Sequence, residues 1–415
     1  MEFAFTAEQA MIRESAERFL QDVSTSEAVR TAMATDRGFD PELWERLCQE
    51  MYWQALHIPE EYGGLGLGYV ELAILFEEMG RRLFCSPFLA TVAMGVNALL
   101  IAGNEAQKRQ WLPQIAQGSL TATLGLLSSQ QHRDNRRWDA SSVQALARKE
   151  GDGYVLSGSW YYVPDGHTVG LLILAAREDG SKGEDGVRLF AVSANNEGVK
   201  CGWTPTMDQT RKQAKIEIES LFVSADCCLG GEGTSDWSAL EQVLQLASIA
   251  IAAEQAGGAR QVMELTIDYT RERVQFGRPI ASFQAIKHRA ADMMLQVECA
   301  KSAVYYAACV ADEVFKSLSC SEQASSEQAS SEQASEVKDQ LPEAAALAKA
   351  YCSDAFFHCA AESIQLHGGV GFTWEYDPHL YFKRAKSSET FLGDGGLHRE
   401  RIARQLLDDS GPVKG

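Results

Sequence analysis

The stretch YTRERVQFGRPIASFQAIKHRAADM, Tyr269–Met293, decides how this chain reads. On either side of it apolar residues recur at three and four positions, from Ala239 to Thr270 and from Ala285 to Leu318, which predicts two long helices. Between them the periodicity breaks at Arg273, Gln275, Phe276 and Gly277. An arbitrary arginine is most often a solvated group on a helix face. An arginine set beside that glutamine, phenylalanine and glycine carries more weight as a binding group.

Working outward, the helical pattern covers the first hundred residues as well. EQAMIRESAERFLQDV and YVELAILFEEMGRRL have helical spacing, with the Pro and Gly loop IPEEYGGLGLG between them. From about Leu120 to Ser235 the character changes to short apolar or β-branched runs, GYVLSGSWYYV, VGLLILAAR, VRLFAVSA and AKIEIESLFV, separated by Gly, Asp and Asn. Helical periodicity returns after EGTSDWS, with further segments at Pro342–Leu366 and Gly393–Leu407. The expected organisation is a helical domain over 1–119, a β domain over 120–235 and a helical domain over 236–415. Inside the last lies SEQASSEQASSEQAS, Ser321–Ser335, a repeat with no apolar stripe, read as a low-complexity solvent loop over 319–337.

The chain has 415 residues, 45% of them hydrophobic, enough for a sizeable core. Its formal net charge of -19 argues against broad binding to nucleic acid or anionic membranes, so a phosphate-bearing ligand must be met by local arginines. Charges interleaved through MEFAFTAEQAMIRESAERF leave no apolar signal core or membrane span there, and a cytoplasmic protein is expected. Ten cysteines are scattered without C-x-x-C spacing, so neither a zinc site nor a disulfide framework is signalled.

Three stretches together resemble the acyl-CoA dehydrogenase family: PEEYGGLGLGYVELAILFEEMG (Pro59–Gly80), Tyr269–Met293, and IQLHGGVGFTWEYDPHLYFKRAK (Ile364–Lys386). The resemblance implies an α+β fold with a helical N-domain, a β-barrel-like middle domain and a C-terminal four-helix bundle. It also implies FAD as cofactor, an acyl-CoA substrate and an electron-transfer acceptor. By that resemblance Arg273 corresponds to the arginine that holds the flavin pyrophosphate. Gln275, Phe276, Gln284, Gln365, Gly368 and Gly369 correspond to further flavin contacts, in family members made mainly to the flavin of a neighbouring subunit. His288 and His367 lie inside the matched motifs without a nucleophile or metal-ligand spacing and are read as structural or flavin-proximal.

Against the family pattern, other segments depart. Where members carry T-E-P-x-x-G-S-D, this chain has LLSSQQHRDNRRWDAS, Leu126–Ser142. Where they carry W-I-T-N-G, it has Tyr162, Val163, Pro164, Asp165 and Gly166. Proline at 164 removes a hydroxyl and a backbone donor from the place that faces the flavin ring in the family. Many members place a catalytic glutamate before a glycine in the terminal loop. Counted without gaps from GGVGF, that position is Leu392, followed by Gly393. Asp394 reaches it only through compensating insertions and deletions and is a weak candidate base. Members that carry the glutamate on the first C-domain helix have it at the position of Ala247. Glu254 lies seven residues on, ~10 Å along a helix axis at ~1.5 Å per residue, and a helix-surface or subunit-contact role is expected for it.

This mixture resembles one subunit of the heteromeric α2β2 acyl-CoA dehydrogenases of bacterial steroid side-chain degradation. In those enzymes a second family member completes each site and only one subunit supplies the base. A self-sufficient dehydrogenase or related flavin oxidase using Asp394, and a non-catalytic assembly protein, are the alternatives.

Overall fold

A computed structural model describes residues 5–128, 137–231, 237–321 and 328–407, with side chains left undescribed over 317–338. The backbone forms two compact units. One comprises Met1–Val29, Gly68–Phe84 and Ser248–Gly415, the other Arg30–Leu67 and Cys85–Ala247.

The N-terminal helices are α1 (Ala7–Val23), α2 (Ser26–Ala34), α3 (Pro41–Arg46), α4 (Tyr69–Arg81), α5 (Asn97–Ala102) and α6 (Glu105–Ala116). Two begin with reciprocal capping boxes, Thr6 with Gln9 and Asn104 with Gln107, each satisfying two amides that a helix start leaves orphaned. Leu89–Val96, ahead of α5, is an all-buried π-helix.

The β region carries β1 (Ala122–Gly125), β2 (Leu146–Glu150), β3 (Gly153–Pro164), β4 (Leu171–Glu178), β5 (Val187–Ser193), β6 (Val199–Thr204) and β7 (Gln213–Ser224). They form one seven-stranded sheet in the order β1-β4-β2-β3-β7-β6, with β5 on β4. β4 is parallel to β1 and β2 on one edge and antiparallel to β5 on the other. Trp160 lies fully buried in the core of this sheet, and its indole N–H donates to Ala175 O at 2.7 Å, so the large ring enters without an orphan donor.

The C-terminal part holds α7 (Trp237–Glu272), a small hairpin of β8 (Val274–Gln275) and β9 (Arg278–Pro279), α8 (Gln284–Ser321), α9 (Gln328–His367), α10 (Pro378–Thr390) and α11 (Gly395–Leu407). α8, α10 and α11 all pack on α9. The Gly pair in QAGGAR lets helices touch backbone to backbone. A Cβ at Gly257 would lie 1.8 Å from Glu77 O on α4, and one at Gly80 would lie 2.0 Å from Glu254 O on α7.

Two expectations need correcting. The SEQAS repeat is not a loop throughout: α8 runs to Ser321 and α9 starts at Gln328, leaving only 322–327 outside the described residues. Its Ala, Glu and Gln are good helix formers, so a segment without an apolar stripe can still extend a helix that is packed further along. The helix accordingly runs through Pro342 instead of starting there. Meanwhile α10 was not separated by periodicity, because Arg384 and Ser388 stand on its buried face.

Among the described residues no helix is long and apolar enough to cross a membrane, and no group of His, Cys, Asp or Glu is placed to hold a metal ion.

Candidate functional site

Arg273 follows the end of α7, with its amide bonded to Tyr269 O and its carbonyl accepting from Ile280 N, both at 2.8 Å. These bonds close the base of the β8–β9 hairpin. Its turn is Phe276–Gly277, with φ of 52° and 77°, both left-handed, as a two-residue turn matched to strand twist requires. An aromatic residue at positive φ is strained, and Phe276 is nevertheless 91% exposed. The hairpin therefore holds a large apolar ring in solvent at a conformational cost. Gln275, also exposed, donates only to the neighbouring Val274 O. Gln284 opens α8 and is exposed.

Arg273 lines a cleft of about 430 Å³ with Tyr269, Glu272, His367, Val370, Glu375 and Tyr376 among its walls. No ion pair engages its guanidinium among the described residues. The wall opposite comes from the end of α9. His367 is buried, stacks on Tyr269 at 4.2 Å between centroids, and shares its Nδ1 with Ser363 O at 2.8 Å. Desolvation holds it below the usual histidine range. Tyr269 OH donates to His367 O, so one tyrosine ties the two motifs together. His367 thus packs in the wall of the cleft, whereas His288 is exposed on α8. Gln365, Gly368 and Gly369 are exposed beside it. Gly368 sits at φ 64°, and a Cβ at Gly368 or Gly369 would meet nothing within 4 Å, which leaves backbone open to a close-lying ligand. A free guanidinium, open glycine backbone and a cleft between them fit the diphosphate of FAD.

The β-sheet segment is different. Strand β3 bulges between Trp160 and Val163, and Tyr162 stands at φ 55°, 37% exposed. Pro164 contributes only a carbonyl, which accepts from Thr123 Oγ1 at 2.7 Å. Asp165 follows at φ 51° and is buried. Of Leu126–Ser142, residues 129–136 lie outside the described residues. Leu126 and Leu127 are buried, and Ser128 Oγ accepts from Gln144 N and Ala145 N. The groups described here do not fit the ring-gripping role of the family segments.

Leu392 is 1% exposed, with φ 62°. Asp394 is exposed, and its Oδ1 accepts from Leu397 N at 2.9 Å while its carbonyl accepts from His398 N. It is an N-cap of α11, a role that the Asp-Gly sequence supports directly. The loop around it is held by two buried basic side chains that the sequence reading missed. His398 Nε2 bonds to Leu392 O at 3.0 Å, and Lys349 Nζ donates to Gly393 O at 3.0 Å. A lone lysine among Ala346, Cys352, Ser353 and Phe356 on one face of α9 was the available signal.

The expectation for Glu254 is overturned. It is 7% exposed and accepts from Arg384 NH1 of α10, itself 2% exposed. Burial of a carboxylate without a partner is prohibitive, and the partner was invisible in the sequence because it comes from a helix 130 residues away. Ala247 is fully buried on α7.

Comparison with known proteins identifies the family. The acyl-CoA dehydrogenase N-terminal domain matches residues 6–119, and the acyl-CoA dehydrogenase C-terminal domain matches 236–407. The acyl-CoA dehydrogenase IpdE2 of Mycobacterium tuberculosis is 33% identical over 93% of both chains. Butyryl-CoA dehydrogenase from Megasphaera elsdenii superposes with a TM-score of 0.82 at 25% identity, covering 98% of this chain and 100% of that one. A variant described as the Tcur3481–Tcur3483 steroid ACAD superposes with a TM-score of 0.77 at 26% identity, covering 97% and 98%. The chain belongs to the acyl-CoA dehydrogenase family, FAD-dependent oxidoreductases that act on acyl-CoA thioesters.

Proposed function

We propose that this chain is the base-less subunit of a heteromeric α2β2 acyl-CoA dehydrogenase, working with a second family member on a bulky acyl group such as a steroid side chain. The observation that carries this reading is the pairing of opposites within one unit. The diphosphate-binding groups are intact and exposed, while the position of the catalytic carboxylate holds a buried leucine. Similarity to a steroid ACAD supports the substrate class.

FAD, when bound, supplies the acceptor for the hydride that leaves the β-carbon. The chain's own residues then have limited tasks. Arg273 neutralises the diphosphate, with Gln275, Gln284 and Gln365 as neighbouring polar contacts and Gly368 and Gly369 admitting the ligand to the backbone. Phe276, already extended into solvent, covers the cofactor from the hairpin tip. Leu392, buried in its loop, takes no proton, so α-proton removal falls to the partner's carboxylate. Asp394 is occupied in capping α11 and has no part in the chemistry.

Two copies of each chain repeat only the productive unlike interface, giving half as many complete sites as protomers. The test is to purify this chain alone and together with the homologue encoded beside it, then measure mass, FAD per protomer and turnover. About one FAD per unlike pair, with activity only in the mixture, is expected. A homotetramer with one FAD per chain that turns over acyl-CoA unaided refutes the proposal and restores Asp394 as a candidate base. A pair that assembles without FAD points to the assembly-protein alternative.

A further inference from the structure

Lys349 lies in the middle of α9 with no exposed surface, and no carboxylate pairs with it among the described residues. An ammonium has three donors, and here it meets three acceptors: Ser353 Oγ at 3.0 Å, Glu389 O at 3.1 Å and Gly393 O at 3.0 Å. Glu389 O belongs to the last turn of α10, where helix carbonyls lack partners and the dipole is negative, so a cation is favoured there. Gly393 O belongs to the loop behind Leu392. Ser353 Oγ in turn meets the amide of Gln255 on α7, which reaches Ser388 of α10. From the other side His398 of α11 takes Leu392 O. Residues 389–394 are thus bound through their backbone carbonyls by side chains of neighbouring helices. None of these bonds involves the side chain at 392.

We infer that Lys349 is a positioning residue for the reaction: by clamping the carbonyls of Glu389 and Gly393 it fixes the backbone of the loop that carries residue 392, whatever side chain stands there. This rests on the reading of residue 392 as the position that holds the catalytic carboxylate in other members, and so of its loop as part of the shared site.

Burial pulls Lys349 down to about 7. The titratable groups facing it are Cys352 and Asp354 on its own helix, Glu389 on α10, Asp394 in the loop and His398 on α11. Above that pH the buried group is the neutral amine, so any opening of the loop that wets it takes up a proton, and opening becomes harder as pH rises.

The experiment is amide hydrogen exchange over residues 390–398 in the full chain assembled with its partner, alongside steady-state kinetics with a steroid side-chain CoA thioester. Lys349→Met is expected to lower protection of these amides by about tenfold or more, since carbonyls bonded to a cation lose their donor. It should raise KM several-fold with kcat nearly unchanged, because the loop borders the site and takes no part in proton transfer. In the wild type, protection corrected for intrinsic exchange should increase from pH 7 to 9. Unchanged protection in the variant overturns the clamp. Loosened amides with unaltered KM and kcat leave the clamp standing but overturn the positioning role together with the reading of this loop as part of the site. Should Lys349→Met fail to fold, wild-type protection decides: amides of 390–398 as protected as those of α10 support the clamp, and amides that exchange like an exposed loop refute it.

Discussion

The Arg273 hairpin and the Leu392 loop lie in the same compact unit and are built on opposite principles. The hairpin carries its positive-φ residue, Phe276, into solvent, and its guanidinium is uncommitted among the described residues. The loop carries its positive-φ residue, Leu392, into the interior, and buried basic groups hold its carbonyls from two helices. At the hairpin tip the strained residue meets the ring of Phe283 edge-on at 6.1 Å between centroids and otherwise stands in solvent, whereas the strained backbone of the loop is fixed by side chains of two helices.

Variants that break the buried side should cost the most. Arg384→Ala takes the guanidinium from the buried Glu254 carboxylate, and a loss of roughly 3–5 kcal/mol in chemical denaturation is expected. A loss below about 1 kcal/mol would mean that the pair is hydrated and that this region is no more rigid than the hairpin.

Next comes the pH response of Lys349. Between about pH 7 and the ordinary lysine range the unfolded chain holds a proton that the folded chain has released, so stability rises with pH by up to about 1.4 kcal/mol per unit. Below about 7 both states hold it, and the contribution is flat with the burial cost fully felt. Comparing urea unfolding of wild type and Lys349→Met at pH 7 and 9 should show that slope only in the wild type.

The hairpin side of the comparison is sharpened by Arg273→Ala. Its expected signature is unchanged unfolding with weaker FAD retention in the assembled enzyme, by ~10–100-fold for the loss of ~1.5–3 kcal/mol from a charged hydrogen-bonded contact. Equal FAD occupancy at limiting cofactor would remove this arginine from the site. The smallest effect belongs to Asp394. Asp394→Ala should lose about 1 kcal/mol as a helix cap, Asp394→Asn less, and turnover should change far less than the ~10²–10⁴ typical of a general base. A large fall in turnover with the Asn variant, at full FAD occupancy, would make the loop catalytic.

Much of this was legible in the chain alone. The long helices, the principal strands and the motif around Arg273 follow from periodicity and from residue types whose chemistry is local. That a leucine cannot take a proton is equally plain, while the matching of position 392 to the family's base comes from the resemblance. The repeat was misjudged because absence of an apolar stripe speaks to burial, while helix formation there follows backbone propensity and the packed helix beyond it. Glu254 was misjudged, and Lys349 and His398 passed over, for one shared reason. A charge inside a helix pattern looks solvated until the group that compensates it is known, and those groups, the Arg384 guanidinium and the carbonyls of Glu389, Leu392 and Gly393, are brought in from other helices. By itself the sequence determined the kinds of element and which functional groups were present or missing. Only the tertiary structure decided which charges are buried and which loop they hold, because desolvation and pairing depend on neighbours that chain order does not reveal.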